Sequence, residues 1–297
     1  MDNLGYCCIN QTLRKKNVYT GRSLIRRTFT IEKASQLALQ NCIDLLSIVQ
    51  WNIDNNINVF RISSDLFPRI TDNINRYNFN QLSTEKQICS VLAQVGKLAY
   101  DNNIILSCHP GPYTVLGSDK DNVINNSIDE INMHVLIGKL LRSDAPKLQF
   151  HINFHVGNKF SPESGERFCA NFHKLDDYAK SMITIENDDK ANCWSINKLY
   201  NHIHRRIGVP LTFDYHHSQF SREPELSHHD EFMLAKITWE NRGCLQEVHY
   251  SSSENNTPKH SDYILETIPD WLTNDPDIYI HLEAKQKELA VLKYRKF

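Results

Sequence analysis

The sequence predicts an α/β fold in which a single (β/α)8 barrel of the TIM type carries a metal site at the C-terminal ends of its strands. Eight short apolar runs alternate with helix-like segments along all 297 residues. No long linker or low-complexity segment interrupts this alternation, and one barrel normally takes about 250 residues. Residues 1–297 are therefore expected to form one domain, with two smaller α/β domains as the alternative interpretation.

The candidate strands are short runs rich in β-branched and aromatic side chains. This pattern is typical of strands that are buried on both faces of a parallel sheet. The eight runs cover residues 4–9, 59–63, 104–108, 148–155, 182–186, 209–214, 246–250 and 278–282.

Helix-like segments fill most of the chain between these strands. They cover residues 31–52, 84–101, 127–141, 167–180, 195–206 and 231–239. A final segment, 283–296, is acidic at its start and basic at its end, which suits the helix dipole. Long loops over 65–83, 111–126 and 160–167 each follow a strand. In a barrel, loops at this position build the active face.

The composition indicates a soluble globular protein. Hydrophobic residues make up 40% of the chain and charged residues 23%. No apolar run approaches the ~18 residues of a membrane span, and the first residues lack a signal-peptide pattern. We therefore expect no membrane association and an intracellular location, in the cytoplasm or wherever the DNA is. A virus is one of the sources this expectation allows. The eight cysteines include no C-x-x-C pair, which favours reduced, buried thiols.

Metal-capable side chains stand at or just beyond the C-terminal ends of six different candidate strands. One such residue alone is more often a helix cap or a hydrogen-bonding loop residue. Six together predict a functional site, because these strand ends converge on one mouth of a barrel. The six residues are His109, His155, Glu186, Asp214, His249 and Glu283.

The residue types in this set favour a centre with more than one metal ion. Histidine and carboxylate ligands without cysteine suit Mn, Zn or Fe, and more than four ligands imply a second ion. Two neighbouring metal ions are the usual device for cleaving phosphate esters. A glycosidase would need two carboxylates without a histidine cluster. The P-loop, G-x-G-x-x-G and G-x-S-x-G motifs are all absent, so no nucleotide cofactor is expected.

Eight segments resemble, in the same order, the signature blocks of UV-damage endonucleases. They are LGYCCIN, RISSDLFP, HPGPYTVLGS, IENDD, FDYHH, HYSSS, HSDYI and LEAKQKELA. The resemblance extends from Leu4 to Leu292, and ordered agreement of many blocks is highly specific. It implies a TIM barrel related to endonuclease IV. Such a barrel uses up to three divalent ions, Mn preferred, and incises DNA on the 5′ side of UV photoproducts.

The resemblance also implies roles for individual residues. Among the metal ligands, Glu186, His109 and Glu283 would serve catalysis most directly. The ions would number two or three, Mn first, with Zn, Mg or Co as alternatives. The implied ligand groups are His109, His155 and Glu186 for a first ion; Glu186, Asp214, His249 and Glu283 for a second; and His217 and His260 for a third.

The resemblance places the lesion-contacting positions at Tyr6, Asn10, Pro112 and Tyr113. The partner would be damaged double-stranded DNA, bound by a monomer. The sequence departs from the family pattern at three places: Pro112 replaces a Gln, Glu247 replaces a Lys, and residues 69–77 lack a His.

Glu247 lies two residues before His249, so both side chains point to one face of their strand. Glu247 is therefore predicted to be an additional anionic ligand, together with His217 and His260. An exposed Glu near the start of a strand is the alternative interpretation.

The predicted function is cleavage of the damaged DNA strand 5′ to cyclobutane dimers and 6-4 products. The products would carry a 3′-hydroxyl and a 5′-phosphate. An abasic-site endonuclease of the endonuclease IV type is the main alternative. A metal-dependent sugar isomerase and a non-catalytic damage-binding protein are the others.

Overall fold

The computed structural model describes residues 3–296, which form a closed barrel of eight parallel strands surrounded by helices. In chain order the strands are β1 Leu4–Cys7, β2 Val59–Ile62, β3 Ile105–Cys108, β4 Phe150–His155, β5 Ile183–Glu186, β6 Leu211–Asp214, β7 Gln246–Tyr250, β8 Ser253–Glu254, β9 Thr257–His260 and β10 Ile278–Leu282. The barrel order is β1-β10-β7-β6-β5-β4-β3-β2, whereas β8 and β9 pair antiparallel as a separate hairpin. The predicted fold class is confirmed.

Burial on both faces explains why most of the barrel strands are rich in apolar side chains. Every residue of β1, β3, β5, β6, β7 and β10 is buried. The approach of β1 to β2 is especially close at Gly5. A Cβ atom there would lie 1.9 Å from the carbonyl oxygen of Val59, so only glycine fits without displacing the backbone.

Twelve α-helices lie within residues 3–296. They are α1 Gln11–Arg14, α2 Ile31–Asp54, α3 Glu85–Asp101, α4 Asp121–Leu141, α5 Pro162–Phe172, α6 Asp177–Met182, α7 Ile196–Leu199, α8 Arg205–Ile207, α9 Tyr215–Ser221, α10 His228–Ile237, α11 Asp270–Thr273 and α12 Glu288–Tyr294. Short 3-10 helices occupy Arg26–Thr28 and Phe79–Gln81, and a π-helical turn occupies Tyr200–His204. None of these helices is long and apolar enough to cross a membrane.

Some predicted helix boundaries were wrong. The single helix predicted over 167–180 is two helices, α5 and α6, and Asp176 caps the second by accepting a hydrogen bond from the Ala179 backbone N–H. The last helix begins at Glu288 instead of residue 283. The backbone of Glu283 still continues the barrel, because its N–H donates to the carbonyl of Tyr250.

The prediction of buried thiols is confirmed in part. All eight cysteines are free thiols. Four of them, Cys7, Cys42, Cys108 and Cys169, are buried, and the other four are partly exposed.

Candidate metal centre

The six predicted strand-end residues meet at the C-terminal mouth of the barrel. Strand register places them at one level: His155 on β4 is the partner of Glu186 on β5, and Asp214 on β6 is the partner of His249 on β7. Glu283 directly follows β10. The predicted convergence is therefore observed in the tertiary structure.

Glu186 lies at the centre of this cluster and is almost fully buried. Its Oε2 atom is 3.2 Å from Nδ1 of His249 and 3.6 Å from Nε2 of His109. Its Oε1 atom is 3.3 Å from Nδ1 of His217 and 3.9 Å from Nε2 of His155. One carboxylate thus contacts four imidazole rings from four different segments of the barrel.

Asp214 is fully buried, and its two carboxylate oxygens have different surroundings. Oδ1 accepts a hydrogen bond of 2.7 Å from the backbone N–H of His217 and so caps α9. Oδ2 has no hydrogen-bond partner within the described residues, and neither has Nδ1 of His249, 3.9 Å away. Two buried polar atoms 3.9 Å apart, neither with a hydrogen-bond partner, fit a bound cation, because a buried polar atom without a partner is costly.

Glu283 forms the other side of the mouth. It makes an ion pair with Arg61 of β2, and its Oε1 atom lies 3.5 Å from Nδ1 of His249. His260, at the end of the β8–β9 hairpin, places Nε2 3.8 Å from Oε2 of Glu283. The hydroxyl of Ser251 lies 2.6 Å from the other ring nitrogen of His260 and orients the ring.

The charges in the mouth also fit divalent cations. We refer to Glu186, Asp214 and Glu283 as the mouth carboxylates. Within residues 3–296, the permanently charged side chain that forms an ion pair with one of them is Arg61, which pairs with Glu283. Burial by itself would raise the pKa of Glu186, but His249 and His155 hold that pKa well below its usual value. The group is therefore an anion among neutral or cationic rings. Two residue sets in the mouth have the spacing of metal ligands: His109, His155 and Glu186, and Glu186, Asp214 and His249.

Glu247 occupies a different position from the one predicted. It is fully buried beneath the mouth, with Oε1 3.3 Å from Nε2 of His249 and 3.3 Å from Nε2 of His281. The structure does not bring it to His217 or His260, because its side chain is short and points into the barrel core. The inference that it shares a face with His249 is confirmed, but its expected partners were wrong.

Tyr6 and Asn10, which are predicted to contact the lesion, hydrogen-bond to each other inside the protein. Both are fully buried. The Tyr6 hydroxyl donates to the side chain of Asn52 on α2 and accepts from the Asn10 amide. Asn10 in turn caps α1 by accepting from the Leu13 backbone N–H. These two residues stabilise the junction of β1, α1 and α2.

Pro112 and Tyr113 lie in the loop above the mouth, as predicted. Pro112 is exposed and lines a cavity of about 530 Å³ that His109, His155 and His217 also line. Tyr113 is 88% exposed, which is exceptional for a large aromatic side chain in this protein. The loop therefore presents an uncovered ring beside the metal-capable cluster.

Four site residues were missed by the sequence analysis: Asn153, Asp188, Arg61 and His281. The amide of Asn153 donates to Glu186. Asp188 lies 3.4 Å from Nδ1 of His155. The alternation of side chains along a strand could have identified Asn153 and His281, because each stands two residues before a predicted ligand and so on the same strand face.

Comparison with known proteins identifies relatives along the whole chain. A family model described as UV-endonuclease UvdE matches residues 2–296. The UV-damage endonuclease of Schizosaccharomyces pombe is 32% identical, over 98% of this chain and 49% of that protein. The UV DNA damage endonuclease of Clostridium perfringens is 31% identical, over 98% of this chain and 69% of that protein. This chain thus spans about half the length of the S. pombe relative.

A solved structure supports the same relationship. The crystal structure of SacUVDE matches this barrel with a TM-score of 0.84 at 27% sequence identity. The match covers 99% of this chain and 96% of that one. Fold and sequence therefore agree over nearly all of both chains.

Proposed function

This chain belongs to the UV-endonuclease UvdE family, and from that premise we propose that it is a metal-dependent DNA-repair endonuclease. It would cut the damaged strand 5′ to cyclobutane dimers and 6-4 products, leaving a 3′-hydroxyl and a 5′-phosphate. The observation that carries the proposal is the Glu186 carboxylate among four histidines, next to the unpartnered buried atoms of Asp214 and His249.

We assign the cluster to two or three divalent ions, with Mn first and Zn, Mg or Co as alternatives. The first ion would use His109, His155 and Glu186; the second would use Glu186, Asp214, His249 and Glu283; the third would use His217 and His260. Divalent ions bound in such a mouth supply an activated water and neutralise charge on a phosphate ester.

The side chains of the mouth are held in place before any substrate arrives. Asn153 donates to Glu186, and Arg61 fixes Glu283. The backbone N–H of His217 fixes the Asp214 carboxylate. Such preorganisation matters because the cluster has to meet one particular phosphorus atom of a long polymer.

Lesion recognition would fall to the loop that carries Pro112 and Tyr113. A damaged dinucleotide unstacks at a lower cost than an intact one, which favours its displacement from the duplex. The exposed ring of Tyr113 could then stack where the displaced bases were, for about 1–3 kcal/mol per base. Pro112 offers no side-chain hydrogen bond, so selectivity at this position would depend on shape.

The test is nicking of UV-irradiated supercoiled plasmid in the presence of Mn²⁺. We expect relaxed circles from irradiated but not from intact plasmid, and loss of the activity with a chelator. A duplex with a single abasic site separates the main alternative function. Preferential cleavage of the abasic duplex would replace the UV-damage assignment with an abasic-site endonuclease. The same preparation, examined by sedimentation, tests whether a monomer binds the damaged duplex.

A further inference from the structure

We propose that Ile74 is an apolar wedge that enters the base stack of the bound duplex, next to the step that Tyr113 would occupy, and bends the DNA there. The inference rests on the proposed endonuclease function, because it concerns the same DNA at the mouth of the barrel. It adds the loop after β2 to the surface that meets the DNA.

Three neighbouring loops around the mouth each present an uncovered apolar side chain. Strands β1, β2 and β3 are neighbours in the barrel, and the loops that follow their C-terminal ends carry Ile25, Ile74 and Tyr113, which we call the apolar arc. These side chains are 59%, 70% and 88% exposed, and they are three of the four most exposed large hydrophobic residues within residues 3–296. A single exposed aliphatic residue is ordinary on a protein surface. Three on adjoining loops of one face indicate a surface that a partner covers.

The charges beside the apolar arc favour DNA as that partner. Every residue of the proposed ligand groups lies at or after His109, so the loops after β1 and β2 are left for other contacts. Arg26 and Arg27 directly follow Ile25, and both are exposed. Within residues 3–296 the side chain of Arg27 forms no salt bridge. Phosphates attract arginine, and a base stack accepts an apolar side chain, so this side of the mouth is complementary to a duplex.

The tip of the loop that carries Ile74 is held in place by the Asp72 carboxylate. Its Oδ1 atom accepts from the backbone N–H groups of Ile74 and Asn75, at 2.9 Å and 3.0 Å. Its Oδ2 atom accepts from Arg69 at 2.8 Å and from Arg26 at 3.0 Å. The amide of Asn75 also donates to the carbonyl of Arg26, which joins the tip to the loop after β1. A wedge that is ordered beforehand loses less conformational entropy when it inserts.

A cavity of about 300 Å³ lies between this tip and the loop that carries Tyr113. Thr71 and Asn73 line one side of it, and Gly111 and Tyr113 line the other. Because Ile74 directly follows Asn73, the two exposed side chains belong to opposite sides of the cavity. Apolar side chains that enter between base steps unstack them and kink the duplex by about 20–90°. A damaged step, which unstacks at a lower cost, would thus be opened by two loops at once.

The experiment is stopped-flow mixing of the full chain and Mn²⁺ with a duplex that contains one cyclobutane dimer. A 2-aminopurine base next to the dimer becomes fluorescent when it unstacks, and the dependence of the signal on protein concentration gives the affinity. We expect Ile74→Ser to bind about tenfold more weakly than wild type and to lose most of the fluorescence rise. Ile74→Leu keeps an apolar wedge and should restore both.

Ile237→Ser is the matched control. Ile237 is 48% exposed on α10 and lines a cavity with Gln246, the first residue of β7, and so lies at the opposite end of the barrel from the mouth. This variant should bind and unstack the duplex as wild type does. Ile74→Ser should also keep the wild-type melting temperature, because its side chain is exposed; a purely structural role would lower that temperature and leave the fluorescence of the bound complex unchanged.

The remaining outcomes separate the wedge from the proposed function. Equal affinity and equal fluorescence for Ile74→Ser and wild type would overturn the wedge alone. Self-association of wild type in sedimentation that Ile74→Ser abolishes would overturn it in favour of a second copy of the chain on the apolar arc. Preference of wild type for an abasic duplex, with the same losses in Ile74→Ser, would support the wedge and overturn the photoproduct assignment. Failure of wild type to bind any of these duplexes would overturn both.

Discussion

Replacement of Glu186 by Gln is the most direct perturbation of the proposed centre. The substitution keeps the size and shape of the side chain while it removes one of the mouth carboxylates. Glu186 is almost fully buried and lies within 3.9 Å of four histidine rings, so bulk water cannot replace the lost charge.

The magnitude follows from the distances in the site. Opposite unit charges 4 Å apart attract by about 4 kcal/mol at an effective dielectric constant of about 20. A divalent ion doubles this attraction, but the amide oxygen of Gln retains part of it through its dipole. A net loss of about 4 kcal/mol corresponds to a roughly thousandfold slower incision.

The assay is single-turnover incision of a 5′-labelled duplex that contains one cyclobutane dimer, with Mn²⁺ present. Damaged-DNA binding, measured by gel shift, should remain largely intact. Glu240→Gln is the matched control, because this exposed glutamate follows α10 on the outside of the barrel. His202→Ala serves as a second control, since that ring packs against Phe160 outside the cluster. Incision by Glu186→Gln within threefold of wild type would refute the assignment of the cluster.

Three further predictions concern recognition and stability. Tyr113→Ala should reduce the preference for damaged over intact duplex roughly tenfold in equilibrium binding, and unchanged affinities for both duplexes would show that the ring takes no part in recognition. Burial raises the pKa of Glu231 from 4.5 to about 7, so the folded state keeps a proton that the unfolded state loses, and stability should fall as pH rises through this window. Glu231→Gln should therefore be more stable than wild type at pH 8, by up to about 3 kcal/mol, and equally stable at pH 4. The same difference in denaturation midpoint between variant and wild type at both pH values would contradict this reasoning. Gly96→Ala should destabilise the fold by about 1–3 kcal/mol, because the new Cβ would lie 1.7 Å from the Leu141 carbonyl oxygen. The control is Gly21→Ala, which has open space around it and should leave the melting temperature unchanged.

The sequence by itself determined the barrel and most of its metal-capable mouth. Strand periodicity and apolar runs are local properties, so the eight strands could be found without any knowledge of their neighbours. The chemistry at their C-terminal ends, at His155, Glu186 and Asp214 for example, then followed from the geometry of parallel barrels.

The tertiary structure decided which of these side chains contact each other and which are buried. Tyr6 lies in β1 and Asn10 just beyond it, yet the Tyr6 hydroxyl donates to Asn52 of α2 and Asn10 caps α1, contacts that depend on helices packed from elsewhere in the chain. Glu247 and His249 share a strand face, but their depths in the barrel differ by two residues along β7. Only closure against β10 shows that Glu247 meets His281 below the mouth. Contacts between distant strands depend on barrel register, and no local pattern in the sequence encodes the register directly.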